Sequence, residues 1–180
     1  PTDKPKRSLR WDLLFALALI LLGVGLSHRL ISQWDHPLSG PGDGGQWSYF
    51  GWYFAENLEL LPYPQLDLRN NQTLYPHGSI QAVHPWGLER DLFGAGMYRL
   101  AGHGPWLQYY YLFSVLVTAA GTWVVLRREA GPLAAGLVAV AVSFGNLFVM
   151  ARFYGHLGVA ICHWTTLAIV LDYVMLRRLA

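Results

Sequence analysis

Four apolar runs, Leu13–Ile31, Trp106–Leu126, Pro132–Ala151 and His156–Leu176, constrain this chain more than any other feature. Each is close to the ~20 apolar residues a helix needs to cross ~30 Å of hydrocarbon. Backbone amides find no water partners in lipid, so helices are the natural way to span it. The pattern predicts an all-α membrane protein with four transmembrane helices. Residues 1–10 read as a basic tail and 11–32 as the first span. A long polar and aromatic loop follows at 33–105, and 106–180 hold the other three spans.

Charge orients the spans. Only 13% of the residues are charged against 53% hydrophobic, and the charges gather outside the runs. Lys4, Lys6, Arg7 and Arg10 precede the first run, Arg127 and Arg128 divide the second from the third, and Arg177 and Arg178 follow the fourth. Lys and Arg are retained on the cytoplasmic side. All three clusters agree with one topology, with both termini cytoplasmic and the 33–105 loop extracytoplasmic. Arg29 and Arg152 fall near outer span ends, where they can snorkel or face a polar cavity. The net charge of +2 is therefore a topology signal, and no nucleic-acid role is expected. The first run is long for a signal peptide, and Ser27-His28-Arg29-Leu30 is a poor cleavage site, so it reads as a retained span. One cysteine, Cys162, falls inside the fourth run and reads as a packing thiol.

The loop has structure of its own. Ser39-Gly40-Pro41-Gly42-Asp43-Gly44-Gly45 is rich in turn residues. Gln46–Leu61 reads as an amphipathic helix crowded with Trp47, Tyr49, Phe50, Trp52, Tyr53 and Phe54, a composition suited to the membrane–water interface. Pro62 and Pro64 end it. Tyr75-Pro76-His77-Gly78 is a second turn, and a shorter helix is expected over Gly87–Leu100. In the third run, small residues from Ala134 to Gly145 allow close helix contact, and Pro132 opens it. Asn71-Gln72-Thr73 matches a glycosylation sequon, a match common by chance.

Several polar residues are candidates for chemistry, each with a plainer alternative. Asp43 suits a turn or helix cap. It also suits a general base or cation-binding carboxylate, because its glycine neighbours let a ligand approach closely. Glu89-Arg90-Asp91 is either a solvated helix start or a place where Arg90 grips a phosphate. Arg152, His156 and His163 share one helical face by their spacing. His163 lies deepest, where a histidine commonly hydrogen-bonds a neighbouring helix. Asp172 is explained by Arg177 and Arg178. His28, His103 and His156 allow a haem or chlorin reading, which ranks low because no pair is placed by spacing. No zinc spacing, phosphate-binding loop, GxSxG or HExxH motif occurs, and no residues are assigned to a metal.

In combination these pieces resemble the N-terminal part of bacterial multi-spanning membrane glycosyltransferases of the GT-C fold. The resemblance is carried by Pro41-Gly42-Asp43, Trp47-Ser48-Tyr49-Phe50-Gly51-Trp52 and Tyr75-Pro76-His77-Gly78. Arg152-Phe153-Tyr154-Gly155-His156-Leu157, with Trp164 beyond, completes it. It implies transfer of a sugar from a polyprenyl-phosphate donor outside the bacterial inner membrane. Asp43 would be the catalytic base or a ligand to a divalent cation. The resemblance does not itself assign the substrate contacts; Arg90, Arg152, His156 and His77 are the residues expected to make them. Such enzymes generally have more spans, and a paired Asp-Glu after the first span is missing here. The alternative is a non-catalytic integral subunit of a larger photosynthetic or respiratory membrane complex, with lipids and sister subunits as partners.

Overall fold

The computed structural model describes residues 9–26, 44–70, 77–80, 87–146 and 161–179. These are mostly helical, with six helices and two antiparallel two-stranded ladders among the described residues. The chain forms two compact units. The first draws on α1 (Leu9–Leu26), the body of α4 (Trp106–Leu126), α5 (Pro132–Ser143) and α6 (His163–Leu179). The second holds α2 (Gly44–Asn57), α3 (Leu88–Ala101) and the first turn of α4. It also holds β1 (Leu58–Glu59), β2 (Gln65–Leu66), β3 (Arg69–Asn70) and β4 (Ser79–Ile80).

In the first unit, α4 coincides with the second apolar run. Among the described residues it is the one helix long and apolar enough to cross a membrane. α5 is apolar but has 12 residues, and α6 has 17. Residues 147–160, which take in the end of the third run and the start of the fourth, lie outside the described residues. α1 starts at Leu9, inside the expected tail, and carries Arg10 and Asp12 in its first turn. Gly131 (φ 84°) turns the chain after α4, and Pro132 opens α5 with its fixed φ. The core gathers Trp123 and Leu126 of α4, Ala135 and Ala139 of α5, and Val170 and Val174 of α6. The small side chains of α5 let its neighbours close in. Trp123 Nε1 donates to the Pro132 carbonyl at 3.3 Å and ties the turn. Gly23 of α1 admits the Phe144 ring, since a Cβ there would lie 2.1 Å from Phe144 Cζ.

Three buried hydroxyls in this unit are satisfied locally, while that of Thr122 has no hydrogen bond. The hydroxyls of Ser114, Thr118 and Ser143 donate to the carbonyls of Tyr111, Ser114 and Ala139, as hydroxyls in apolar helices do. Outward faces are apolar: Leu21, Leu137, Ile169, Met175 and Leu176 are each at least 60% exposed. His163, expected to bond a neighbouring helix, is buried with its ring against those of Phe113 and Trp164.

The second unit is built on α2 and α3. Three contacts fall in step along both: Trp47 with Arg90, Gly51 with Gly94, and Ala55 with Arg99. The two helices therefore run parallel. α4 runs the other way along α3, because Tyr98 meets Trp106 and Phe93 meets Tyr110. Gly102 (φ 73°) makes the reversal, its N–H donating to the Tyr98 carbonyl. The aromatics of α2 serve this packing. Trp47, Phe50, Tyr53 and Phe54 are buried, leaving Tyr49 and Trp52 half-exposed. Their spacing makes one face, and that face has found a helix rather than solvent or lipid.

α2 ends at Asn57, short of the expected Leu61, because Leu58 and Glu59 pair with Leu66 and Gln65. The Tyr53 hydroxyl donates to the carbonyls of Asp67 (2.5 Å) and Arg69 (3.3 Å), which anchors the strand that follows. Arg99 reaches from α3 to the carbonyls of Ala55 and Leu58.

Candidate functional site

The second unit contains a cleft where α2, α3 and the first turn of α4 meet. Trp47, Ser48 and Gly51 come from α2, Arg90, Gly94 and Tyr98 from α3, and Trp106, Leu107 and Tyr110 from α4. Its floor is the crossing of two glycines. A Cβ on Gly51 would lie 3.2 Å from the Gly94 Cα, so no side chain fits between the backbones.

Among the described residues Arg90 is the one sequence candidate that lines this cleft, and the structure does not give it the solvated setting. It is 6% exposed, so it is not part of a solvated helix start. Asp91, beside it, is fully buried and holds it. Arg90 Nε donates to Asp91 Oδ1 at 2.8 Å, and Nη2 lies 2.7 Å from the same oxygen. The other carboxylate oxygen accepts from the Gly87 N–H at 2.9 Å, while the Asp91 N–H donates to the Gly87 carbonyl at 2.8 Å. The first bond satisfies the Gly87 amide at the helix start, and the second is the first main-chain bond of α3. A Cβ on Gly87 would lie 2.9 Å from Arg90 Cζ, so a larger residue there would displace the guanidinium. The guanidinium then rests over the Trp47 ring, 4.1 Å from its centroid, a desolvated cation–π contact.

Burial pushes the Asp91 carboxyl above its ordinary range, against the downward pull of Arg90 and the Gly87 amide. Burial likewise raises the Tyr98 hydroxyl. A buried ion pair of this kind contributes little net stability, but losing one partner strands the other.

Two buried donors at the cleft remain without a hydrogen bond: Trp47 Nε1 and Arg90 Nη2, the latter close to Asp91 in charge but not aligned for a bond. Buried polar atoms are almost always satisfied, so such a pair marks a place for an acceptor. The enclosed space is about 10 Å³, roughly one water or one ligand oxygen. The chemistry on offer is donation to an oxygen, with a guanidinium charge nearby and aromatic walls.

The other candidates lie elsewhere. His77 is exposed in a turn before Gly78 (φ 70°) and does not line the cleft. Asp43, Arg152 and His156 fall outside the described residues, as do His28 and the sequon. His103 is exposed, its ring edge-on to Tyr98 at 5.6 Å. Among the described residues no three His, Cys, Asp or Glu side chains gather as a metal ion requires.

Sequence reasoning passed over Trp47 as a site residue and over Asp91 as Arg90's partner. A signal was present. Trp47-Gly51-Ala55 and Arg90-Gly94-Tyr98 are both stripes of four-residue spacing with glycine at the centre, the pattern of two helices meeting closely.

Compared with known family models, curated proteins and solved structures, the chain matches none.

Proposed function

We propose that this chain is a GT-C-like membrane module with four spans, whose extracytoplasmic loop binds a polyprenyl-phosphate sugar and transfers the sugar. The observation that carries the membrane part is the outward face of the first unit. Leu21 on α1, Leu137 on α5, and Ile169 and Leu176 on α6 are exposed together with their neighbours. Apolar surface on this scale is covered by lipid or by a partner. The basic residues after α4 and at the end of α6, Arg127, Arg128, Arg177 and Arg178, set the cytoplasmic side. Both termini are then cytoplasmic, in a bacterial inner membrane.

The sugar-transfer part rests on the resemblance and on the donor-lined cleft in the loop. Asp43 takes the proton of the acceptor hydroxyl as that oxygen attacks the anomeric carbon. The bond from that carbon to the phosphate oxygen breaks, and the lipid phosphate leaves with the electron pair. Arg90, Arg152, His156 and His77 contact the donor. The test is Asp43→Asn in the full-length protein in native membranes. Sugar transfer from a polyprenyl-phosphate donor is expected to be lost at unchanged protein level. Full transfer in that variant removes the catalytic role.

A second reading, a non-catalytic integral subunit of a larger membrane complex, is favoured by one observation. Arg90 already has its counter-charge in Asp91, so a structural role accounts for the pair without a ligand. Purification from native membranes as a solitary, stable chain argues against that reading.

A further inference from the structure

We infer that the cleft at Trp47 and Arg90 is an oxyanion subsite that receives one phosphate oxygen. It deepens the sugar-transfer reading and rests on it for the identity of the phosphate. Two independent observations converge there. First, Trp47 Nε1 and Arg90 Nη2 are buried donors without a hydrogen bond, on side chains 8% and 6% exposed. They line a space of about 10 Å³. Neither group can accept, so the missing partner is an acceptor. Second, α2 and α3 run parallel, so their N-terminal ends lie side by side at this end of the pair. A helix start presents amide N–H groups and a partial positive charge; at α3 the Gly87 N–H is already taken by Asp91.

The two ends differ. α3 carries Glu89 and Asp91 in its first turn, which offset its own dipole. α2 has no acidic residue in its first turn, which begins Gly44-Gly45. No described atom lies within 4 Å of where a Gly45 Cβ would stand. Among the described residues nothing crowds Gly45, so an anion can approach there as phosphates do at helix starts. Asp43, which directly precedes Gly44, lies outside the described residues; among those described, Arg90 and Asp91 cancel in charge, no acid stands in the first turn of α2, and the two side-chain donors fix the oxygen's position. The cleft admits one oxygen, and the rest of the tetrahedral group stays at its mouth.

The test uses the full-length protein in nanodiscs, with the thermal unfolding midpoint read against inorganic phosphate, farnesyl monophosphate and farnesol. The variants are Trp47→Phe, which keeps the ring over Arg90 and removes the donor, and Arg90→Lys, which keeps the charge. A saturable, phosphate-dependent rise is expected in the wild type, with apparent affinity roughly tenfold or more weaker in Trp47→Phe. A response to farnesyl monophosphate alone identifies a lipid-linked phosphate, and an equal response to inorganic phosphate identifies a free one. Absence of any response, an equal response to farnesol, or an unchanged response in Trp47→Phe overturns the inference. Phosphate binding that persists in a chain without sugar transfer overturns the enzymatic reading alone.

Discussion

Gly51 and Gly94 meet so closely that a Cβ on Gly94 would lie 3.0 Å from the Gly51 Cα. Backbone faces backbone there, so added bulk has no flexible side chain to displace. Gly94→Val is expected to destabilise the second unit by about 1–3 kcal/mol. Gly96 on the same helix has nothing within 4 Å. Gly96→Ala is therefore expected to gain up to about 1 kcal/mol from helix propensity. Chemical denaturation in detergent compares the two, and equal effects would contradict the close crossing.

The Arg90–Asp91 pair predicts an asymmetry. Asp91→Ala leaves a buried guanidinium without its counter-charge and opens the start of α3, at an expected loss of about 3–5 kcal/mol. The double variant Arg90→Met/Asp91→Leu is expected to recover most of that loss, since both charges go together. A double-mutant cycle on unfolding free energy measures the difference. By contrast, Glu129→Gln breaks an exposed contact with Arg178, which is 62% exposed, and is expected to change stability by less than about 1 kcal/mol.

Tyr53 gives a pH dependence of known sign. Burial first, then the Asp67 carboxylate and Tyr49, raise its hydroxyl above the ordinary 10.0. The folded state then holds the proton more tightly than the unfolded state. Unfolding free energy is level below that value and falls as pH climbs through it. Tyr98 acts in the same direction. Tyr53→Phe is expected to flatten the alkaline fall, at a cost of about 1 kcal/mol at neutral pH for the lost bonds to residues 67 and 69. Unfolding midpoints between neutral pH and pH ~11 check the sign.

The proposed topology predicts labelling of single cysteines introduced on a Cys162→Ala background. A cysteine at Glu56, an exposed position on α2, is expected to react with a membrane-impermeant maleimide on intact cells. One at Arg128 is expected to react only after permeabilisation. The reverse pattern would place the basic turn outside.

Legibility in the sequence followed the reach of the signal. The bounds of α4 were readable to the residue, because an unbroken apolar run closed by Arg127 has one interpretation. α3 was readable to within a residue at each end from its flanking glycines. The end of α2 was not, because the pairing of Leu58 with Leu66 depends on a partner brought back by a turn. The fate of the aromatic face was missed for the same reason. Composition shows that Trp47, Phe50 and Phe54 need cover, and only the fold shows that α3 supplies it. Arg90 was recognised as a polar residue worth weighing, but its burial follows from the capping geometry of Gly87 and Asp91, which residue type alone does not reveal.

The glycine crossing acts as a fixed ruler. Main chain meets main chain there, so the spacing of α2 and α3 at Gly51 and Gly94 does not depend on a side chain packed between them. The separation of the two helices beside the cleft is thus written in two residues that have no side chain to vary.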